Sequence, residues 1–174
     1  MTLPLLLLLS ATLRGPADIA SLTQASDAVV RARVVSTVSA WGAGGPSGGV
    51  IYTQVTLAPT ETLKGAPAAG LVVRVPGGAV GDLDQTVPGA ARFHEGEDVV
   101  VFLRALAPHA GRDDPSSPPL FDVTRWALGK FVVAHGGRAA RDRSGVTCVG
   151  CAAGEADELP VDELRARVRE SAAR

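Results

Sequence analysis

Hydrophobic and polar residues alternate along residues 27–41, close to the start of the chain. The odd-numbered positions include Arg31 and Arg33, which fall together on one face of an extended segment. This alternation predicts a long strand whose arginine-bearing face contacts water and whose other face is buried. The positions predicted to face the core are Ala28, Val30, Ala32, Val34 and Val38.

Later segments continue this extended character and are separated by turn residues. Gly65 and the Pro-Gly-Gly sequence containing Gly77 and Gly78 end two of them, because these residues interrupt strand pairing. Residues 98–103 form a continuous apolar run, which predicts a strand buried on both faces. Residues 80–97 have no clean period and predict a long ordered excursion. The predicted strands cover residues 50–57 with a continuation to 65, 70–76, 98–103, 121–123 and 129–134.

Two helices are expected, one before the first strand and one at the end of the chain. Residues 18–26 suit a short helix that Asp18 caps. Residues 160–172 place three apolar side chains at helical spacing, with acidic residues in the first turn. The order of elements predicts an all-β fold, a small barrel of five or six strands with a short N-terminal helix and a C-terminal amphipathic helix.

The first 17 residues indicate a compartment, and the composition restricts the class of partner. An apolar run near the N-terminus, too short to span a bilayer, predicts a signal peptide over residues 1–17 and a secreted or periplasmic protein. The signal is atypical because no basic residue precedes the run. With a net charge of −1 and few aromatic residues, we expect no nucleic-acid partner, and no stable membrane span after signal removal.

Short motifs in the predicted strands resemble a known group of proteins. The segment DAVVRARV at 27–34, ETLKG at 61–65, PGG at 76–78, GEDVVVFL at 96–103 and GKF at 129–131 carry the likeness. The chain resembles exported bacterial proteins related to the netrin-module and tissue-inhibitor-of-metalloproteinase superfamily, which implies an OB-fold barrel over residues 18–135. In the animal inhibitors an N-terminal cysteine chelates the protease zinc. No cysteine precedes Cys148 here, so that mechanism does not carry over.

The only two lysines of the chain, Lys64 and Lys130, lie inside these motifs although arginine is otherwise the usual cation. We expect them to have a structural role, as caps for strand or turn carbonyl groups. Gly65, Gly77 and Gly78 belong to the same set of candidate structural residues.

Cys148 and Cys151 form a C-x-x-C pair in a Gly/Cys-containing loop predicted over residues 136–159, ahead of the helix in 160–174. The pair suits a disulfide in an exported protein, with free thiols, half of a metal site or a redox-active dithiol as alternatives. Ser47 formally fits G-x-S-x-G, but it lies in a glycine-rich loop and lacks the strand–turn–helix context of a nucleophile. His94 and the acidic residues after it are expected to form a solvated turn rather than a metal site.

These observations predict an exported, non-enzymatic binding or interaction module without a cofactor. Its partner would be an extracytoplasmic protein or ligand recognised by loops at 42–49, 77–97 and 105–119, since loops on a rigid barrel usually carry recognition. The first alternative is a protease inhibitor that does not use an N-terminal cysteine. The second alternative is a thiol–disulfide active protein that works through Cys148 and Cys151.

Overall fold

A computed structural model describes residues 11–15, 17–42, 45, 49–66, 70–106, 119–149 and 157–174. Twelve strands, two α-helices and a 3-10 turn at Trp126–Gly129 are present in these ranges. The helices are α1 (Ile19–Gln24) and α2 (Val161–Ala172). The strands are β1 (Ala11–Arg14), β2 (Ala28–Trp41), β3 (Ile51–Lys64), β4 (Leu71–Pro76), β5 (Gly78–Val80), β6 (Leu83–Gln85), β7 (Asp98–Ala105), β8 (Leu120–Val123), β9 (Lys130–Val133), β10 (Arg138–Arg141), β11 (Val146–Val149) and β12 (Glu158–Pro160).

Five of these strands close into a barrel. Hydrogen bonding runs from β2 to β3, β4, β8 and β7, and β7 pairs again with β2. Every pairing around the barrel is antiparallel except β4 with β8, which is parallel. The prediction of an all-β, OB-like barrel with a helix on either side of it in the chain is confirmed.

The barrel has one core inside and a second core outside, and β7 separates them. Val99, Val101 and Leu103 face the interior, where the apolar residues of β2, β3 and β4 meet them. Val100 and Phe102 of the same strand face outward and are completely buried beneath the helices and β9. The uninterrupted apolar run of β7 therefore has the two-sided burial predicted for it, because alternate side chains fill different cores.

The outer core depends on the two helices and on a short extension of the sheet. Strands β9, β10 and β12 continue outward from β7, α2 packs against β10 and β12, and α1 packs against α2. Asp18 caps α1 as expected, accepting a hydrogen bond from the Ser21 N–H at 2.8 Å. The expected stripe of α2 is buried and belongs to this core, through Val161, Leu164 and Val168.

One prediction for β2 is wrong beyond its midpoint. Val34 pairs with Leu57 and Ser36 pairs with Thr56, so Val35 is an extra residue in a β-bulge. A single extra residue exchanges the two faces of the strand that follows it. Val38, expected to face the core, is instead 62% exposed for this reason.

The stretch 136–159 also differs from the predicted loop. It contains β10 and β11 and most of β12, with β10 pairing between β9 and β12. Strand β11 pairs in parallel with β1, which lies within the segment predicted as a leader. Residues 1–10 lie outside the described part of the chain. Within the described ranges, neither helix is both long and apolar enough to cross a membrane.

Candidate functional site

Lys64 joins the end of β3 to the end of α1. Its ammonium group donates hydrogen bonds of 2.7 Å to the carbonyl oxygens of Thr23 and Ser26. These carbonyls lie at and just beyond the C-terminal end of the helix, where a cation interacts favourably with the helix dipole. Gly65 follows with a φ of +76°, and a Cβ there would lie 2.5 Å from the carbonyl oxygen of Asp27. Both residues thus fix the entry of the chain into β2.

Lys130 is buried, and it holds the segment that precedes β7. Its side chain is 2% exposed and donates to the carbonyl oxygen of Arg92 and, at 2.8 Å, to Glu97 Oε2. The ammonium also lies 4.6 Å from the centre of the Phe93 ring. Burial raises the pKa of the Glu97 carboxyl, but hydrogen bonds from Lys130 and His94 outweigh burial and hold that pKa below its ordinary value.

Gly77 and Gly78 let the β5–β6 hairpin approach the inner side of β2 and β3. Their φ values are +98° and +132°, which a residue with a side chain rarely adopts. A Cβ on Gly78 would collide with the hydroxyl groups of Ser39 and Thr53. Those two hydroxyls are 2.9 Å apart, and Thr53 donates to the Gly77 carbonyl at 2.7 Å. The two glycines are therefore required by close packing.

We call the distal part of the β2–β3 hairpin the arm, and we define it as the described residues between Arg33 and Glu61. No Asp, Glu, Lys or Arg occurs between those two positions in the sequence. Val35 and Val38 on β2 are 55% and 62% exposed. Strands near a sheet edge usually carry charged residues that discourage association, and the arm carries none of its own. It therefore presents apolar side chains to the surroundings of the molecule.

A surface pocket of about 260 Å³ lies at the base of the arm, on the outer side of β2, β3 and β7. It has both acidic and basic walls. The lining residues, which we call the arginine pocket, are Arg31, Arg33, Thr60, Glu61 and Asp98. The pocket adjoins the arm because Val35 follows Arg33 by two positions along β2.

The two carboxylates of the arginine pocket are already paired. Asp98 accepts from Arg31 through Nε at 3.1 Å and Nη2 at 2.6 Å, which raises the pKa of the Arg31 guanidinium. Glu61 Oε1 accepts from Arg165 and Arg169 of α2, both at 2.6 Å. Arg33 is exposed and has no ion pair with any described residue, although Asp98 is its cross-strand neighbour. An anion is thus the complementary ligand for Arg33.

The structure does not bring His94 and the acidic residues after it together as a metal site. The acidic residues near His94 have separate partners: Glu95 accepts from the Thr37 N–H, Glu97 pairs with Lys130 and Asp98 pairs with Arg31. Among the described residues, no three His, Cys, Asp or Glu side chains are grouped as metal ligands.

Ser47 and Cys151 lie outside the described residues, as do most of the loops at 42–49 and 105–119. Cys148 is in β11, where its backbone pairs with Leu13. The pairing of Cys148 with Cys151 therefore stays a prediction. Of the three predicted recognition loops, only 77–97 is described throughout. It forms the β5–β6 hairpin and the segment that Lys130 holds.

Sequence reasoning missed the arm and the pocket for different reasons. The charge-free run between Arg33 and Glu61 is visible in the sequence, and it is a usable signal. The pocket has no such signal, because its lining residues come from three strands, and Arg31 and Asp98 are 67 positions apart. Comparison of the chain with protein-family models, with curated proteins and with solved structures gives no match.

Proposed function

We propose that this chain is a non-enzymatic interaction module that binds a partner protein through the arm. The observation that carries the proposal is the exposure of Val35 and Val38, at 55% and 62%, on the arm, which has no charged residue of its own. Apolar side chains grouped at the surface are typical of protein–protein contact sites. The glycine-rich segment at 42–49, predicted to take part in recognition, connects the two strands of the same arm.

The proposal includes a location outside the cytoplasm. The apolar N-terminal run supports export, and the C-x-x-C pair at Cys148 and Cys151 suits an oxidising compartment. The resemblance to exported proteins with an OB-fold barrel supports the same location. A partner would then be another extracytoplasmic protein.

The arm contact can be tested by photocrosslinking in the native envelope. We would place p-benzoylphenylalanine at position 38 (Val38→p-benzoylphenylalanine) and, as a matched control, at the exposed Ala140 of β10. A discrete adduct is expected from position 38 and none from position 140. The variant Val38→Asp, combined with the crosslinker at Val35, should remove the adduct because a buried carboxylate without a partner is costly.

Absence of an adduct at position 38, or the same adducts from both positions, would contradict the proposal. The identity of the adduct also separates the alternatives. A metalloprotease would favour the inhibitor hypothesis, and a mixed disulfide through Cys148 or Cys151 would favour thiol chemistry.

A further inference from the structure

We propose that the arginine pocket binds a single carboxylate, supplied by an Asp or Glu side chain of the partner protein, and that Arg33 is its principal ligand. This inference rests on the proposed function, since it specifies the chemistry of the same partner. It differs from the sequence-based expectation that Arg31 and Arg33 belong to the solvated face of the first strand.

The two arginines of the pocket differ in their ion pairs. Arg33 is directly opposite Asp98 in the pairing of β2 with β7, and so a pair between them is the expected contact. Asp98 instead pairs with Arg31, whose Nε and Nη2 both donate hydrogen bonds to the carboxylate. A guanidinium offers five donors in a planar fork, and those of Arg33 have no carboxylate among the described residues.

The carboxylates of the pocket are paired with arginines other than Arg33. Three guanidinium groups pair with the two lining carboxylates: Arg31 of β2 with Asp98, and Arg165 and Arg169 of α2 with Glu61. A third acid, Asp162, also pairs with Arg165, at 2.7 Å. Arg33 also lines the pocket, and it is the guanidinium in this group that has no carboxylate partner among the described residues.

The lining of the pocket favours a carboxylate over a dianion such as phosphate. The Thr60 hydroxyl donates to the Arg31 carbonyl oxygen at 3.2 Å, and so it does not serve as a donor to an anion. A dianion would therefore rely on Arg33 while lying near Asp98 and Glu61, which repel it. One carboxylate matches one guanidinium fork in charge and in geometry.

The pocket adjoins the exposed valines of the arm. Val35 and Val38 follow Arg33 by two and five residues, which corresponds to about 7 and 16 Å along a strand. An extended partner segment with an acidic residue and apolar residues at these spacings would meet Arg33 and the two valines together. Charge complementarity at the base of the arm would then set the register of the partner.

The test uses the full chain, labelled with ¹⁵N, and a probe with one carboxylate. N-acetyl-glutamate-N-methylamide would be titrated at pH 7.5 and constant ionic strength, with N-acetyl-glutamine-N-methylamide as the neutral control. We expect saturable amide shifts at Arg33, Thr60 and Asp98 with the acid and none with the amide. Arg33→Ala should weaken the apparent affinity about tenfold or more, since it removes the charge-assisted hydrogen bonds. Arg104→Ala, which removes a 63% exposed arginine at the other end of β7, should leave it unchanged.

Three results of the titration would overturn the inference: no saturable shift with the acid, equal shifts in Arg33→Ala, or tighter binding of inorganic phosphate than of the monocarboxylate. Failure of the proposed function is a separate result, because it is measured by the adduct at position 38. Binding of the probe without any adduct would leave a carboxylate site unconnected to a protein partner and would also overturn the inference. If the proposed function and this inference are both correct, Arg33→Ala should lower the yield of the adduct at position 38.

Discussion

Lys130 offers the sharpest test of how the barrel is held together. The variant Lys130→Met keeps the length of the side chain but removes the ammonium group that contacts Arg92 and Glu97. Removing one member of a buried ion pair costs about 3–5 kcal/mol, because the remaining charge loses its partner. Glu97 is 19% exposed and can regain some water, which places the expected loss of unfolding free energy near the lower end, at about 3 kcal/mol.

Urea unfolding followed by circular dichroism measures this loss directly. For a chain of this size, about 3 kcal/mol corresponds to a fall in Tm of about 6–12 °C. The double variant Lys130→Met with Glu97→Gln serves as the control. It should be more stable than the sum of the two single losses predicts, because neither charge is then left alone.

The penalty should also depend on pH. The pKa of Glu97 is lowered in the folded state, so its contribution is present above its unfolded pKa and is lost as the pH falls through the folded value. The difference between the wild-type chain and Lys130→Met should therefore shrink as the pH falls below about 4.3. A penalty under about 1 kcal/mol at pH 7, or one that is unchanged in acid, would refute the role given to this ion pair.

Three further predictions concern other candidate residues. Lys64→Met should cost about 1–2 kcal/mol in urea unfolding, because the carbonyls of Thr23 and Ser26 lose a charged donor; an unchanged midpoint would contradict this. Gly65→Ala should cost more than Gly81→Ala, since both have positive φ but only Gly65 has a backbone oxygen against the new Cβ; equal losses would mean that crowding is unimportant. Thiol titration of Cys148 and Cys151 should find no reactive thiol before reduction and two afterwards, whereas acidic free thiols would favour redox chemistry.

The elements predicted well are those that carry a clear apolar pattern in their own sequence. The unbroken apolar run at 98–103 predicts strand β7, and three apolar residues at helical spacing predict helix α2. Strand β10 was missed because its sequence, RAAR, shows no alternation. Only Ala139 of this strand enters the outer core, and its burial depends on other elements, including α2. A four-residue strand that is defined by its neighbours leaves no signal in its own sequence.

The site was less predictable than the fold, for a reason that Arg31 and Arg33 illustrate. The sequence places both on the outer face of β2, and the structure agrees. Which of them pairs with Asp98 depends on side-chain geometry across two strands, and whether Glu61 is available depends on α2. These are tertiary contacts between distant segments, and no local pattern encodes them.

The bulge at Val35 connects the error in the prediction to the proposed function. By exchanging the faces of β2, it turns Ser39 inward, where its hydroxyl meets Thr53 beneath the β5–β6 hairpin. The same exchange turns Val38 outward. The polar residue expected in water thus helps to pack the hairpin, and the apolar residue expected in the core is left at the surface. Burial accounts for the apolar residues of the barrel, but it does not account for the exposed Val35 and Val38 of the arm, and for this reason we propose that these two valines contact a partner.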